Sequence, residues 1–386
     1  MNIQTMIESK AHNQEPWQEP LMLDLSDSSD SSYAEKLFDN NKVNSVVDKI
    51  GHIAIDLYKM RSLEGDLNVS EDGYVDEING QGVGFGKWFY FPWDKSLTRY
   101  PDLEDHRDLR TFRNKVLITR EEQKSLYEAR IAVFGLSVGS SVVNSLVMSG
   151  IGGTLILGDF DVLELTNTNR IPENIESVGS EKIDVVAKKI SKIDPYINQV
   201  HLRNGFNGTD FEDQNIEYDI MFDEVDDIKS KFEMRDLSMR LKKPIVMVTD
   251  ADGRIIVDVE RYDTQPNTKL FLGKIKEESL KEIIEGSMSD SDKKRMLARF
   301  IGFTNISARL IKSATLVGKE VRGLPQLFIT ANAGGSLGAF TAREIILGRN
   351  IKSGRYSSNF RSTLKTGSPD GVIKDISSFY TFLKNS

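Results

Sequence analysis

The apolar and polar positions of residues 130–170 follow an order that predicts a strand, a tight turn, a helix and a second strand. The apolar run at residues 131–134 has the length and composition of a buried parallel strand. A turn of small residues follows, and apolar residues then recur at helical spacing up to Gly150. A second apolar run, residues 154–157, leads into Asp159. This order places a carboxylate at the tip of the second strand, close to the start of the helix.

The turn, Gly135-Leu-Ser137-Val-Gly139-Ser140, is compatible with more than one chemistry. A dinucleotide-binding turn reads Gly-x-Gly-x-x-Gly, and Ser137 and Ser140 occupy its second and third glycine positions. The letters Gly135-x-Ser137-x-Gly139 also match the nucleophile elbow of hydrolases. In a nucleotide site, backbone N–H groups at the helix start would face an anion and Asp159 would accept hydrogen bonds from ribose hydroxyls.

The residues after Asp159 favour chemistry at phosphorus over the other readings. A dehydrogenase needs no cluster of Asp, Asn, Arg and Lys beyond its ribose carboxylate, so NAD-dependent oxidoreduction is the weakest alternative. A site that reacts at phosphorus needs such a cluster, because it has to neutralise a triphosphate and a metal. The residues of this cluster are Asp161, Asn167, Asn169, Arg170 and Lys182.

Residues 135–170 resemble, in register, the ThiF/MoeB/ubiquitin-activating family of adenylating enzymes. The acidic run at residues 223–227 matches the second Asp-containing loop of that family. More closely, the chain resembles a branch of two-part ThiF-like proteins, through Arg110 and Arg113 upstream and residues 258–262 downstream. The resemblance covers most of the chain but does not explain the first hundred or so residues.

The resemblance implies a role for each matching position. Asn167 and Arg170 would contact ribose and phosphate, and Lys182 would be the phosphate lysine. Asp226 would hold Mg²⁺, and Arg113 would reach across a homodimer to the triphosphate of the other subunit, with Arg110 as the second choice. The implied catalytic residues are Arg170, Lys182, Arg113 and Asp226. The implied nucleotide-binding residues are Gly135, Ser137, Gly139, Asp159, Asp161, Asn167, Arg170 and Lys182.

Two positions depart from the family pattern. Asp227 stands where the family usually has asparagine, which would alter metal affinity. Lys231 stands where arginine is common, and a lysine cannot form the bidentate contact that a guanidinium forms. Asp226 is nonetheless the residue that matches the metal position, so ATP and Mg²⁺ are the expected cofactors.

The predicted fold class is α/β: a Rossmann-like, mixed but mainly parallel sheet with helices on both faces, after an N-terminal α+β extension. A flexible tail is expected at residues 1–33, where a serine- and aspartate-rich tract lies. A helical, aromatic-rich domain follows at 34–107, with one helix predicted over 39–61. Its aromatic stretch, residues 74–93, predicts a strand pair or loop packed on the main domain, or alternatively a lid or partner groove.

The remaining boundaries follow from the resemblance and from composition. The ATP-binding domain is expected at residues 108–350 and includes a helical insertion at 274–303 that would cover the acyl-substrate groove. Small residues in the last core helix predict close packing of that helix. The C-terminal tail, residues 351–386, is basic and is expected to cross the surface.

Composition narrows the class further. The 386 residues are 39% hydrophobic and 28% charged, which is ordinary for a soluble protein of two or more domains. The net charge of −8 argues against general nucleic-acid or membrane-surface binding. The absence of a bilayer-length apolar run and of a signal pattern predicts a cytoplasmic protein without membrane contact.

The chain contains no cysteine. A disulfide, a thiolate zinc site and a thioester intermediate are therefore excluded, and no zinc is expected. If the chain activates a carboxylate, the reaction stops at the adenylate or passes the acyl group to another acceptor.

Three functions remain open at this point. The leading hypothesis is ATP-dependent adenylation of a carboxylate on a peptide, a ubiquitin-like carrier or a small acid, with release of pyrophosphate. The second is a nucleotide-binding scaffold for a protein partner. The third is a hydrolase with Ser137 as nucleophile, for which His201 is the only histidine after the serine, although it lies in a predicted strand.

Overall fold

The computed structural model describes residues 3–4, 15–65, 67–289, 292, 296, 300, 302 and 307–366. The chain forms two compact units, the first comprising Met1–Gln123 and Glu176–Tyr196, the second Lys124–Ile175 and Ile197–Ser386. The strands are β1 (Leu21–Leu23), β2 (Ser45–Val47), β3 (Lys87–Phe91), β4 (Ser96–Tyr100), β5 (Arg130–Phe134), β6 (Thr154–Gly158), β7 (Asn198–Leu202), β8 (Ile220–Asp223), β9 (Pro244–Ala251), β10 (Arg254–Arg261) and β11 (Gly354–Asn359).

The helices of the described residues, in chain order, are α1 (Ser28–Asp39), α2 (Ile50–Glu64), α3 (Glu71–Gly80), α4 (Leu103–Thr111), α5 (Arg120–Glu128), α6 (Val138–Met148), α7 (Lys182–Ile193), α8 (Gly208–Asp213), α9 (Ile228–Leu241), α10 (Glu277–Ile284), α11 (Ala308–Leu316), α12 (Phe328–Ile346) and α13 (Phe360–Leu364). Short 3₁₀ turns lie at Gly82–Gly84, Phe112–Asn114, Leu165–Asn167, Ile175–Ser177 and Leu270–Gly273. None of these helices has both the length and the apolar character needed to cross a bilayer.

The first unit is built on a four-stranded sheet of order β1-β3-β4-β2. β3 pairs antiparallel with both β1 and β4, and β2 pairs parallel with β4. The buried rings of Trp88 and Tyr90 on β3 pack against α1, where Leu37 is buried beside them. The last part of the aromatic stretch is thus a strand, β3, which pairs with β1 and with β4 beyond the stretch, whereas its first residues belong to α3. The packing of the stretch on the main domain stays a prediction.

Two predictions for the N-terminal segment are wrong. Residues 21–33 contain β1 and the start of α1, where composition predicted a flexible tail. Aspartate and serine act there as capping residues, because Asp27 accepts hydrogen bonds from the backbone N–H groups of Ser29 and Asp30. The single helix predicted over 39–61 is also interrupted, since residues 45–47 pair with β4 and only α2 is helical.

The side chain of His106 lies inside the first unit, between the rings of Tyr100 and Tyr196, whose centroids are 5.6 and 5.7 Å away. Its imidazole hydrogen-bonds with the backbone of Ile193, and its Nε2 is 3.6 Å from a carboxylate oxygen of Asp194. Burial lowers the pKa of His106 to about 4, although the charge of Asp194 opposes this shift.

We expect His106 to make folding stability depend on pH. Its pKa is lower in the folded chain, so the unfolded chain binds more protons between the two pKa values. The contribution is fully present above the unfolded pKa of about 6.5 and is lost as pH falls toward the folded value, by on the order of 3 kcal/mol. The free energy of unfolding of His106→Gln, measured with denaturant from neutral to acidic pH, is expected to fall less steeply than that of the native chain. Equal slopes in the two proteins would contradict this account.

The second unit is built on a seven-stranded sheet of order β11-β10-β9-β8-β5-β6-β7. The five strands from β9 to β7 in this order are parallel, and β10 and β11 are antiparallel to their neighbours. Helices flank the sheet, and a Cβ on Gly335 of α12 would lie 2.4 Å from the backbone of Ser141 on α6. The mixed, mainly parallel α/β sheet and the close approach of the last core helix are therefore confirmed.

The C-terminal segment differs from the predicted surface tail. β11 extends the sheet as its edge strand, and the guanidinium of Arg355 binds both carboxylate oxygens of Asp258 on β10 at 2.7 and 2.6 Å. Arg361 pairs in the same way with Asp252 at 2.8 and 3.1 Å. From composition, these arginines were expected to lie at the surface. In the structure each instead pairs with a carboxylate that is far away in the sequence. Residues 367–386 of the predicted tail lie outside the described residues.

The described part of the predicted insertion forms a small core of its own beside α9. α10 is the first of the two helices predicted at residues 274–303, and most of the second lies outside the described residues. Buried Phe271, Ile275 and Ile283 pack with Ile228 of α9 and Met247 of β9. The role of this segment as a cover stays a prediction.

Candidate functional site

The glycine turn between β5 and α6 packs closely against the backbone of the loop that follows β8. Gly135 has a φ of +84°, and a Cβ there would lie 2.3 Å from the carbonyl oxygen of Glu224. A Cβ on Gly139 lies 3.0 Å from the side chain of Val133. Only glycine combines that φ with so close a backbone approach at position 135, so the loop after β8 and the turn after β5 are packed together. Phe134 and Asp223 are register partners, so both loops leave the sheet at the same edge.

Asp159 closes this turn from the tip of β6. One of its carboxylate oxygens accepts a hydrogen bond from the N–H of Leu136 at 2.6 Å, and the other accepts one from the N–H of Asp161 at 2.7 Å. Asp159 is buried, so its carboxylate fixes both the glycine turn and the start of the next loop. The structure thereby adds a local role to this residue, and its contact with a ribose stays a prediction.

Arg170 reaches the glycine turn directly. Its Nε donates to the hydroxyl of Ser137 at 2.8 Å, immediately before the first residue of α6. Asn167 is buried, and its side-chain oxygen accepts from the N–H of Glu164 at 3.0 Å in a reciprocal capping arrangement. The carbonyl of Asn167 accepts from the N–H of Arg170 at 3.0 Å, so this turn orients the arginine. Arg170 and Ser137, two of the predicted site residues, are thus in contact.

Asp250 and Gln326 belong to the same region and were not singled out from the sequence. Asn169 donates to the carbonyl of Gln326 at 2.9 Å, and the Gln326 amide donates to Asp250 at 3.0 Å. Burial raises the pKa of Asp250, while the charge of Arg170 acts in the opposite direction. The other carboxylate oxygen of Asp250 is buried and has no hydrogen-bond partner in the structure as described. The sequence could have indicated Asp250 as a site residue, because it follows an apolar run that predicts a buried parallel strand.

The four acids of the run at 223–227 have different environments. Buried Asp223 forms ion pairs with Lys231 at 2.9 Å and with Arg235 at 2.5 Å. Glu224 accepts from the N–H of Val248, and burial raises its pKa well above the ordinary value. Asp227 caps α9 by accepting from the N–H of Ser230 at 2.8 Å. These contacts occupy three of the acids.

Asp226 is the remaining acid of the run, and it is exposed. It forms no hydrogen bond or ion pair with the residues that the structure describes. The described ranges contain no group of three or more acidic or histidine side chains that could hold a metal by themselves. Mg²⁺ commonly binds one or two carboxylates together with substrate phosphates and water, so a single free carboxylate at this sheet edge fits that ion.

A network of buried charged side chains contacts the acidic run through Asp223. Arg235 donates to Asp223 and to Glu260, the latter at 2.7 Å, and its guanidinium lies 4.2 Å from the ring centroid of Phe271. Glu260 also accepts from the hydroxyl of Tyr262 at 2.5 Å and from the N–H of Phe271 at 2.9 Å. Sequence reasoning missed Arg235 and Glu260, for which the available signal was a charged residue inside a buried element.

Arg113 and Lys182 belong to the first unit. Arg113 is exposed on the 3₁₀ turn before α5. The sequence Thr119-Arg-Glu-Glu122 at the start of α5 is typical of a capping box, and the structure contains both of its hydrogen bonds. Lys182 is the first residue of α7 and is buried. Their convergence with Arg170 on one nucleotide stays a prediction.

The surroundings of Ser137 do not resemble those of a hydrolase nucleophile. Its hydroxyl accepts a hydrogen bond from the guanidinium of Arg170, a group that only donates hydrogen bonds and so offers no base for the hydroxyl proton. His201 lies within β7, as its sequence context predicted, and its Nε2 is 3.2 Å from the side-chain oxygen of Gln199. The contacts of Ser137 therefore do not support a role as a nucleophile.

The chain is similar to known proteins over its central part. The sequence profile of the ThiF family matches residues 112–313. An uncharacterized protein of Mycobacterium tuberculosis is 31% identical over 269 residues, which are 70% of this chain and 37% of that protein. A tRNA threonylcarbamoyladenosine dehydratase of Bacillus subtilis is 27% identical over 188 residues, 46% of this chain and 73% of the relative. The sulfur carrier protein ThiS adenylyltransferase of Escherichia coli is 25% identical over 145 residues, 36% of this chain and 57% of the relative.

The chain spans only 37% of the length of the Mycobacterium tuberculosis relative. The profile match, in contrast, extends over more than half of the present chain. The matched segment contains the glycine turn, Arg170 and Asp226. The predicted resemblance is thereby confirmed, and the chain belongs to the ThiF family.

Proposed function

We propose that the chain catalyses ATP-dependent adenylation of a carboxylate. The observation that carries this proposal is the contact of Arg170 with Ser137 at the start of α6, on the turn that packs against the loop of Asp226. An arginine at a helix N-terminus is suited to phosphate oxygens, because its charge is permanent and its N–H groups form a planar fork. The exposed carboxylate of Asp226 on the adjoining loop would bind the metal ion that accompanies a triphosphate.

In this reaction a carboxylate oxygen of the substrate attacks the α-phosphorus of ATP. The bond between the α-phosphorus and the bridging oxygen of the β-phosphate breaks, pyrophosphate leaves, and acyl-AMP remains. The protein contributes positioning and charge neutralisation, without a covalent intermediate on the chain. Arg170 would bind phosphate oxygens, and the N–H groups of the turn would face the anion. Asp226 would hold Mg²⁺, which supplies neutralisation of phosphate charge when bound.

Two further cations complete the proposed site. Lys182 would contact the phosphates from the start of α7, and Arg113 would be supplied by a second copy of the chain in a homodimer. Both assignments come from the family resemblance. Because the chain has no cysteine, the acyl-AMP is the end product or reacts with an acceptor other than a thiol of this protein.

The carboxylate substrate is proposed to be a peptide, a ubiquitin-like carrier or a small acid. The names of the relatives support a range of this breadth, since one acts on a carrier protein and another on a modified tRNA base.

The test is exchange of labelled pyrophosphate into ATP in the presence of candidate carboxylates. Asp226→Asn is expected to reduce the exchange rate by about 100-fold, because a neutral amide holds Mg²⁺ poorly next to the phosphates. The matched control is Asp227→Asn, which retains a good helix cap and is expected to remain close to the native rate. If Asp226→Asn kept the native rate and the native dependence on Mg²⁺ concentration, Asp226 would not be the residue that binds the metal. Tight ATP binding without exchange on any carboxylate would favour the scaffold function instead.

A further inference from the structure

A chain of hydrogen bonds within the second unit runs from the end of β9 to the glycine turn. The side-chain amide of Gln326 donates to Asp250 at 3.0 Å, and the Gln326 carbonyl accepts from the side-chain amide of Asn169 at 2.9 Å. The side-chain oxygen of Asn169 in turn accepts from Nη1 of Arg170 at 3.1 Å. Arg170 completes the chain with its bond to Ser137 at 2.8 Å. Residues far apart in the sequence are thus connected to the candidate site through successive contacts.

The strand end at which this chain of hydrogen bonds begins is fixed by three other elements. Asp250 is the register partner of Ile255 on β10. The guanidinium of Arg361 on α13 binds both carboxylate oxygens of Asp252, at 2.8 and 3.1 Å. The hydroxyl of Thr330 on α12 donates to the carbonyl of Asp252 at 3.3 Å. Asp250 therefore belongs to a firmly held part of the second unit.

Gln326 is held at two points. Its side chain bonds to Asp250, which is 9% exposed, and its carbonyl receives the amide of Asn169. A hydrogen bond to a buried carboxyl is costly to break, because the partner left behind loses the bond without regaining water. Since the side chain and the carbonyl belong to one residue, the bond to Asp250 also limits the movement of the carbonyl that Asn169 contacts.

The guanidinium of Arg170 is oriented by two contacts from different nitrogens. It carries five N–H groups, and Nε and Nη1 each donate one, to Ser137 and to Asn169. Among the described residues no other group accepts a hydrogen bond from this guanidinium. The two contacts set the plane of the group, and the N–H groups on Nη2 remain available to a ligand. Such groups suit the oxygens of a phosphate.

This arrangement removes freedom that the side chain of Arg170 would otherwise have. An arginine side chain has several rotatable bonds, and a ligand that has to order them binds more weakly. Asn169 is exposed, and within the described part of the chain its side chain contacts Gln326 and Arg170. The bond to Gln326 is therefore what fixes Asn169, and through Asn169 it restricts Arg170.

We propose that Asp250, Gln326 and Asn169 form a relay that holds the guanidinium of Arg170 in place at the glycine turn. The three relay residues are positioning residues, which act through Arg170 and touch no reacting atom. This inference rests on the proposed function, because the position of Arg170 matters for the reaction only if Arg170 binds the phosphates.

The experiment uses the full chain and variants of two half-buried glutamines. Gln326→Met keeps the length of the side chain and removes the amide that binds Asp250. Gln265→Met is the matched control, because the Gln265 side chain accepts from the N–H of Ser353 at 2.7 Å and is not part of the relay. Gln326→Met is expected to lower kcat/KM for ATP in pyrophosphate exchange by about fivefold, the loss of one hydrogen bond. Gln265→Met is expected to keep the native value.

The decisive comparison combines Gln326→Met with Arg170→Ala. If Gln326 acts through Arg170, the double variant is expected to be no slower than Arg170→Ala alone, whereas independent effects multiply. Multiplied effects together with a slow Arg170→Ala would overturn the relay and leave the proposed function intact. A native rate in Arg170→Ala would overturn both.

Nuclear magnetic resonance gives a second readout that requires no activity. The Nε–H signal of Arg170, assigned as the one that Arg170→Lys lacks, reports the bond to Ser137. Solvent exchange of this proton is expected to be about fivefold faster in Gln326→Met and in Asn169→Ala and unchanged in Gln265→Met. The native exchange rate in both relay variants would overturn the inference whatever the kinetics show. If no carboxylate supports pyrophosphate exchange, the proposed function fails, and this measurement still decides whether the relay holds Arg170.

Discussion

Arg170→Ala is expected to reduce pyrophosphate–ATP exchange by about 1,000-fold, the effect of removing a pre-oriented charge from a site where phosphate charge develops. The guanidinium of Arg170 is held at the glycine turn by its contact with Ser137, so it is in place before a nucleotide arrives. Pre-orientation of this kind lowers the barrier because little reorganisation is needed during the reaction. Arg170→Lys retains the charge but loses the fork, and we expect an intermediate rate.

The control for this prediction is Arg322→Ala. Arg322 is 83% exposed and pairs with Glu164 at 3.2 Å on the loop that carries Arg170. An exposed pair of this kind contributes little, so the exchange rate and the stability are expected to stay near native. Equal rates for Arg170→Ala and the native chain, with ATP binding preserved, would show that the phosphates bind elsewhere.

Arg235→Ala is expected to lower the free energy of unfolding by about 3–5 kcal/mol. Arg235 is fully buried between Asp223 and Glu260. Its removal leaves Glu260 without its cationic partner and leaves Asp223 with Lys231 alone. Burial on its own raises the pKa of Asp223, but Lys231 and Arg235 outweigh burial and lower it. Without Arg235 this balance is lost, and the folded state must bury an unpaired charge or take up a proton. Denaturant unfolding at neutral pH measures the loss.

The matched control is Arg240→Ala on the same helix. Arg240 pairs with Asp236 one turn away at the surface, and its side chain is 50% exposed. Its replacement is expected to change stability by less than about 0.5 kcal/mol. Adding Glu260→Gln to Arg235→Ala is expected to restore part of the lost stability, since the second change removes a charge left unpaired. A double variant that is less stable than Arg235→Ala would contradict the role given to this network.

The local sequence was sufficient to predict the secondary-structure elements of the candidate site. The order of β5, the glycine turn, α6 and β6 follows from apolar spacing and from a turn in which Gly135 adopts a positive φ. The capping box of Thr119 and Glu122 is likewise a contact between residues three positions apart. Such features depend on neighbours in the chain, which is why the sequence by itself determined them.

The predictions from composition were wrong for two segments whose structure depends on contacts with residues far away in the sequence. The serine-rich segment begins α1, which is held in place because its buried Leu37 packs against Trp88 and Tyr90 of β3. The basic C-terminal segment is an edge strand because Asp258 lies opposite Arg355. β3 and Asp258 are both far in sequence from the segments that they contact, so no local sequence pattern predicts these contacts.

The sequence alone determined that this chain has a glycine turn between a strand and a helix, a carboxylate after the next strand, an acidic run and no thiol, because each is a property of residue type and spacing. Only the tertiary structure decided that Asp223 is buried with its partners and that Glu224 is partly buried against Val248, while Asp226 faces solvent. It also decided that His106 lies beside Asp194 at the end of α7. The reason is that burial and pairing depend on which distant segments meet in the folded chain, and in a parallel sheet those segments come from far apart in the sequence.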